Sequence, residues 1–468
     1  MAFAGRTEEE SGTLKPGKHA DFVVLSDDPF GVPPSMDRYP ARSLRTHRLS
    51  EVREGVRGWV AGRVLKVEEG GFLLRDGSGK LWVEGKGPRP GDLVEVEGEH
   101  KGGVWQASRW RLLAPFRGDW GKLREDPRPW VRMLVGGEGE VVHLRAEVSE
   151  AIRRFFRERG FVEVDPPALV RLPGMEPHIE PFRTVRHAGG KELPCFLHTS
   201  PEYAMKKLLA AGFESVFFLG YAYRDEEPSK THSPAFLMLE WYRAYSDYAQ
   251  LIEDCEALFC ELFGRFRGGL RFRYLGRELD VSPPWPRLSV RDAMLEFAGV
   301  DVLRAEVEEL RKASEAKGHR VDGSWGWDDL FFLLFLEEVE PKIGKPKPTF
   351  VMDYPARLSS LARMREGEPN LVERFELYFG GLELANAFSE LTDPDEQRER
   401  LLRERAERER LGRMLYPVDE EFLEVLSYGM PPSAGIALGV ERLLMLIMDK
   451  EDIAEVQPFP AFLWHEDV

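Results

Sequence analysis

The chain has 468 residues, is 43% hydrophobic, and carries 65 Lys and Arg against 81 Asp and Glu, for a net charge of -16. That is enough apolar material for a large core and for two domains plus a tail. No run is long and apolar enough to span a membrane, the N-terminus is not a signal peptide, and Cys195, Cys255 and Cys260 show no paired spacing. The sequence therefore excludes a membrane protein and a disulfide-stapled secreted scaffold, and predicts a reduced cytoplasm.

Residues 1–44 form an extension. Within it GTLKPGKHADFVVLSDDPFGVPP, Gly12 to Pro34, resembles the closing segment of metal-dependent amidohydrolases. Nothing upstream supplies their barrel, so the stretch reads as a fusion remnant or misplaced start, with Met36 an alternative start. It is expected to be poorly attached, and His19 and Asp21 to hold no metal. Residues 45–117 alternate over several short segments, VRGWVAGRVLKVE, GGFLLRDGSGKLWVEG, GDLVEVEGEH and WQASRWRLL, between Gly-rich turns. That pattern predicts a small β-barrel of the OB type. Between Arg45 and Pro115, thirteen Lys and Arg against ten Asp and Glu, with Trp59, Phe72, Trp82 and Trp105 interleaved, suit stacking on single-stranded bases. Half of those aromatics must be barrel core, and a docking or dimer-bracing module is the competing expectation. A linker is predicted over 118–143.

Val216 to Tyr223 is an apolar strand leading into Arg224, Asp225 and Glu226, and the polar loop Pro228 to Ser233, carrying His232, joins it to a second strand over Phe236 to Tyr245. A period of two sends Phe236, Met238, Glu240 and Tyr242 to one face, a site wall, and Leu237, Leu239 and Trp241 to the other, the core. Farther on, Phe375 to Asp393 turns back at Gly380-Gly381, a two-residue hairpin. Pairing sets Phe379 opposite Leu382 and Tyr378 opposite Glu383, so Glu376 and Glu383 become diagonal neighbours. Two carboxylates this close repel unless a cation lies between them, and a nucleotide-bound magnesium would serve. Asn386, Phe388 and Glu390 have the wrong parity to share a face with Glu383, so a bulge is required between them. Glu396 to Arg410 alternates in sign at helical spacing and reads as a solvated helix. Gly435, Ala437 and Gly439 share a strand face that a ligand could approach closely, with Ile436 and Leu438 on the other. The helical pattern Val440 to Met448 follows, placing Arg442 in a first turn suited to phosphate.

These residues resemble a known family. RGFVEVDPP, Arg159 to Pro167, is similar to motif 1 of the class II aminoacyl-tRNA synthetases, whose proline lies at the dimer interface; RDEE with FLMLEWY resembles motif 2 and GIALGVER motif 3. All three occur in order over roughly Leu144 to Trp464. SPEYAMKKLL (Ser200 to Leu209), GLELANAFSEL and the Glu-x-Tyr of Glu240 and Tyr242 resemble the lysine branch. Within it, EPKIGKPKPTFVMDYPARLSSLA (Glu340 to Ala362) and GIALGVER look most like the paralogues that ligate (R)-β-lysine to elongation factor P.

The resemblance implies an α+β catalytic domain over 144–468, an antiparallel sheet with flanking helices, preceded by the OB-like barrel and working as a homodimer. It implies ATP as substrate with Mg2+. Arg224 would contact the α-phosphate and the substrate carboxylate, Phe236 would stack on adenine, and Arg442 would close the stack and reach the γ-phosphate. Glu226, His232 and Gly439 would complete the ATP site, and Glu376 and Glu383 would hold the metal. Glu240, Tyr242 and Glu390 would receive the substrate's ε-ammonium and Glu202 its other amino group, with Ser200, Asn386 and Ala437 completing that wall. Carboxylates offset the desolvation of such a dication. Ala437 stands where lysyl-tRNA synthetases have glycine and the factor-P ligases alanine, a methyl that can shift discrimination by ~1–3 kcal/mol. Ala387 stands where both groups usually have glycine. The expected activity is ATP-dependent activation of lysine or β-lysine as an adenylate and its transfer to elongation factor P. Charging of lysine tRNA is the alternative, and a silent paralogue that only binds is the second.

Overall fold

The computed structural model describes residues 45–126, 128–136, 139–359 and 361–460. The expectations for residues 1–44, His19, Asp21 and Met36 included, and for the stretch beyond 460 lie outside the described residues. The chain divides into two compact units, Met1–Gly118 and Asp119–Val468.

The first unit contains a closed five-stranded barrel. Its strands are β1 (Arg57–Glu68), β2 (Gly71–Arg75), β3 (Lys80–Glu84), β4 (Leu93–Lys101) and β5 (Val104–Ala114), in the order β1-β2-β3-β5-β4. Alternation turns Val60, Val64, Leu74, Val83, Val94 and Val96 inward, and closure leaves no sheet edge unpaired. Of the four aromatics singled out in the sequence, Phe72 and Trp105 are wholly buried. Trp59 and Trp82 are half-buried, and the Arg109 guanidinium lies 5.0 Å from the Trp59 ring centroid. Gly98 is obligatory, because a Cβ there would meet the Gln106 carbonyl oxygen at 2.3 Å.

The second unit is built on one large sheet. Its strands are β6 (Val162–Glu163), β7 (Ser215–Tyr223), β8 (Ala235–Ala244), β9 (Arg287–Ser289), β10 (Thr349–Pro355), β11 (Glu368–Phe379), β12 (Leu382–Ser389) and β13 (Ser433–Gly439). They run in the order β9-β10-β11-β12-β13-β8-β7-β6, with the short strand Met364–Arg365 beside β11. The terminal pairs β9–β10 and β6–β7 are parallel and the other ladders antiparallel. Leu237, Leu239 and Trp241 of β8 and Ile436 and Leu438 of β13 turn into the main core, where helices α1 (Glu140–Glu158), α3 (Tyr248–Phe266) and α5 (Val440–Met448) contribute Phe155, Phe156, Leu258, Phe259 and Leu444. Each such side chain contributes about 1.5–3 kcal/mol on burial. The sheet is therefore covered by helices on that face, while the opposite face of β8 carries the site. Helices α2 (Glu202–Ala210) and α4 (Pro394–Arg410) also belong to this unit.

Gly380 and Gly381 turn the β11–β12 hairpin with φ of +66° and +89°, both in the left-handed region that a two-residue hairpin of this kind demands. Phe379 pairs with Leu382 and Tyr378 with Glu383, after which the register shifts and Leu377 pairs with Ala385. Leu384 is the extra residue, so the required bulge is present. Ala387 sits in regular pairing with Phe375 and Ile436 and is wholly buried.

One expectation is corrected. The helix predicted over Glu396 to Arg410 forms, capped by Asp393, which accepts from the N–H groups of Asp395 and Glu396 at 2.9 Å, but it is not simply solvated. Gln397, Arg400, Leu401 and Arg408 are buried. Arg408 donates to the carbonyl oxygens of Glu176 and Ile179, both at 2.8 Å, and pairs with Glu180 at 2.8 Å. Charge alternation hides this, because a long guanidinium side chain can be buried once its head finds carbonyls and a carboxylate.

Candidate functional site

β8, β12, β13 and the segments flanking them enclose a cavity of about 600 Å³. Strand register sets its wall. Glu240 pairs with Ala437, Met238 with Gly439 and Tyr242 with Gly435 across β8–β13, while Asn386 pairs with Ala437 across β12–β13. The wall thus holds the polar face of β8 against the small-residue face of β13, the arrangement predicted from parity.

At one end the lining is cationic and aromatic. Arg224 leaves the end of β7, and its guanidinium carbon lies 5.2 Å from the Phe236 ring centroid. Its Nε is buried with no hydrogen-bond partner among the described residues, a donor suited to an anion. Arg442, in the first turn of α5, donates to the Thr231 carbonyl at 3.1 Å, to the Glu383 carbonyl at 2.6 Å and to His232 Nε2 at 2.8 Å. Burial, then Arg442 and Arg224, push the His232 pKa down to about 4. The ring is therefore neutral, accepts from Arg442 and fastens the 228–233 loop to α5. The two glycines of β13 differ. A Cβ on Gly435 would strike the Tyr242 ring at 2.1 Å, whereas one on Gly439 would meet only the Arg442 side chain at 3.8 Å. Gly435 is required by packing, and Gly439 leaves open space beside Arg442. Glu226 also lines this end.

At the other end the lining is acidic and dry. Glu240 is 1% exposed, accepts from the Ser200 hydroxyl at 2.5 Å and from the Tyr242 hydroxyl at 3.2 Å, and burial raises its pKa to about 8. The Ser200 oxygen in turn accepts from the Glu202 N–H at 3.0 Å. Behind this wall lies a buried cation absent from the sequence reading, Lys206 of α2, paired with Glu202 at 2.7 Å and with Glu390 at 2.5 Å.

Thirteen of the fifteen residues singled out from the sequence line the cavity, and Glu376 and Glu390 do not. Glu390 is held behind the wall by Lys206. Glu376 accepts from Arg374 at 2.7 Å, from Tyr354 at 2.5 Å and from Tyr378 at 2.6 Å. Arg374 thus supplies a cation to Glu376, and it also donates to Asn386 at 3.2 Å. Glu383 remains half-exposed, 3.5 Å from Arg442. Glu340 comes close enough that burial, then Glu383 and Glu376, raise its pKa to about 7. Among the described residues no three His, Cys, Asp or Glu side chains gather as a metal cage.

Three more residues escaped the sequence reading. Glu176 and Glu404 line the cavity beside Glu202; burial and then Glu202 raise Glu176, and burial, then Glu176 and Glu202, raise Glu404 to about 8. Glu441, 1% exposed, accepts from the Leu237 N–H at 2.8 Å and pairs with Arg145 at 2.6 Å, tying α5 to β8 and α1. Spacing offers no signal for the first two, which reach the cavity from segments far apart in sequence. Glu441 stood inside GIALGVER but reads as an ordinary first-turn acid.

Residues 130–462 match the family tRNA synthetases class II (D, K and N). Curated relatives include the lysine–tRNA ligase of Carboxydothermus hydrogenoformans, 32% identical over 465 residues that cover 91% of this chain and 94% of that protein. The lysine–tRNA ligase of Pelotomaculum thermopropionicum is 35% identical over 358 residues, 75% of this chain and 70% of that protein. That of Nostoc punctiforme is 40% identical over 358 residues, 75% of this chain and 63% of that protein. The antiparallel sheet, its helix-covered face and these matches lead to one assignment: the chain belongs to the class II tRNA synthetases (D, K and N) and is an ATP-dependent ligase of that family.

Proposed function

We propose that the cavity activates lysine, or an isomer of it, as an aminoacyl-adenylate. ATP lies at the cationic end, with adenine on Phe236 and its phosphates between Arg224 and Arg442. The amino acid lies at the acidic end, its ammonium groups toward Glu240, Tyr242 and Glu202 and its carboxylate toward Arg224. A carboxylate oxygen attacks the α-phosphorus, the bond from that phosphorus to the bridging oxygen breaks, and pyrophosphate leaves with the electron pair. Positioning and charge neutralisation supply the catalysis, so the reaction asks for no general base. The observation that carries this reading is the buried Nε of Arg224, without a partner among the described residues, beside the Phe236 ring in a cavity that also holds the buried Glu240. Magnesium would arrive on the nucleotide's phosphates, where one or two carboxylates suffice, with Glu383 facing it and Glu376 behind.

For the acceptor, the relatives' names support lysine tRNA. The second reading, transfer to a lysine of elongation factor P with β-lysine preferred, is favoured by Ala437, whose methyl stands between Glu240 and Asn386. In either case the chain acts as a homodimer through Arg159 to Pro167, and the barrel contacts the acceptor. The test offers ATP with labelled α-lysine or (R)-β-lysine to purified elongation factor P and to lysine tRNA side by side. Label on tRNA establishes the first reading and label on the protein the second; label on neither, with no ATP consumed, refutes both.

A further inference from the structure

We propose that Lys206 is a positioning residue for the amino-acid end of the cavity: its ammonium bridges Glu202 and Glu390 and fixes both carboxylates, so that an incoming ammonium group meets acceptors already in place. The proposal rests on the reading that this end takes a diamino acid.

The Lys206 side chain is 0% exposed, and so is that of Glu390; Glu202, one helical turn before Lys206 on α2, is 12% exposed. The Phe422 ring lies 5.9 Å from the ammonium. A lysine this deep survives charged only if counter-charges surround it. Burial alone would lower its pKa, but Glu202 and Glu390 outweigh that and raise it. From β8 Tyr242 faces both carboxylates and Glu240 faces Glu202, and Glu176 and Glu404 face Glu202 from two other segments.

Charge counting shows what the residue does. Fully ionised around a bound dication, Glu202, Glu240 and Glu390 carry three negative charges and Lys206 leaves two; in the empty cavity burial raises Glu240 and Glu390, each to about 8, while Lys206 draws Glu390 down. A diamino acid brings two ammonium groups, and its carboxylate is left to Arg224. Without Lys206 the three carboxylates share one dry pocket with no resident cation, and such groups take up protons. Each proton taken up removes one seat for an ammonium. Glu390, behind the wall, then acts through Lys206 rather than by touching substrate.

The experiment measures ATP–pyrophosphate exchange by the full chain, its K206M variant and its K206R variant, across neutral to mildly alkaline pH, with α-lysine and (R)-β-lysine. K206M is expected to raise the amino-acid KM by ~10–100-fold at neutral pH, with the KM falling back as pH rises and the KM for ATP unmoved. K206R is expected to restore the parent's pH profile. A K206M enzyme whose amino-acid KM and pH profile match the parent's, or one that loses kcat alone, overturns the proposal. Should K206M fail to fold, the double variant K206M/E390Q removes both charges together and keeps the two-charge balance; an amino-acid KM near the parent's in that variant supports the proposal and one raised as far as expected for K206M overturns it. A parent that exchanges with neither isomer instead refutes the diamino-acid reading, and the proposal falls with it.

Discussion

Glu240 and Ala437 are direct cross-strand partners on β8 and β13, and Asn386 flanks Ala437 from β12. The Ala437 methyl therefore stands between two polar side chains assigned to the amino acid. Ala437→Gly is expected to shift preference from β-lysine toward α-lysine by ~1–3 kcal/mol. The ratio of kcat/KM for the two isomers in pyrophosphate exchange checks it; an unchanged ratio would make Ala437 a packing residue.

Arg224 should separate chemistry from stability. Its buried Nε has no partner among the described residues, so Arg224→Ala removes no hydrogen bond seen there, yet it is expected to slow adenylate formation by ~10²–10³-fold. Thermal unfolding of the variant should stay within a few degrees of the parent. A stable variant with parental exchange would remove Arg224 from the site.

Glu404 gives a pH signature in the free protein. Its pKa rises from 4.5 to about 8, so the unfolded chain gives up this proton at lower pH than the fold does. The stability contribution is complete below about 4.5 and is lost as pH rises through about 8. Glu404→Gln, which cannot ionise, is expected to match the parent near pH 4.5 and to exceed it by roughly 1–2 kcal/mol near pH 8. Urea unfolding at matched pH reads the difference, and a constant offset at all pH values would contradict it.

Glu441 should be structural. Removing it leaves Arg145, 12% exposed, without its carboxylate and strands the Leu237 N–H. Glu441→Ala is expected to cost ~3–5 kcal/mol of stability, seen as a lower urea midpoint. A midpoint close to the parent's would mean that α5 is held to β8 by apolar packing alone.

The sheet was legible in the sequence where parity alone decides it. The split of β8 into Phe236, Met238, Glu240 and Tyr242 against Leu237, Leu239 and Trp241, the Gly380-Gly381 turn and the α5 boundaries all follow from local pattern. The bulge was legible only as a requirement, since nothing in Leu384 itself announces it. Contacts that close through space were not legible. Tyr354 reaches Glu376 from β10, and Lys206 reaches Glu390 from 184 positions earlier. A helix written almost wholly in Arg and Glu concealed Arg408 in the same way, because composition cannot tell which charged side chain will find carbonyls.

The bulge at Leu384 works like a phase shifter in the strand. Before it, odd-numbered Glu383 looks toward Arg442; after it, even-numbered Asn386 and Phe388 look into the same cavity. One strand thereby presents residues of both registers to one cavity. Positions on either side of the bulge can therefore change without altering the register of the other. Deleting Leu384 alone would swap inside for outside from Ala385 onward, so this single residue is where the two halves of the site are kept in step.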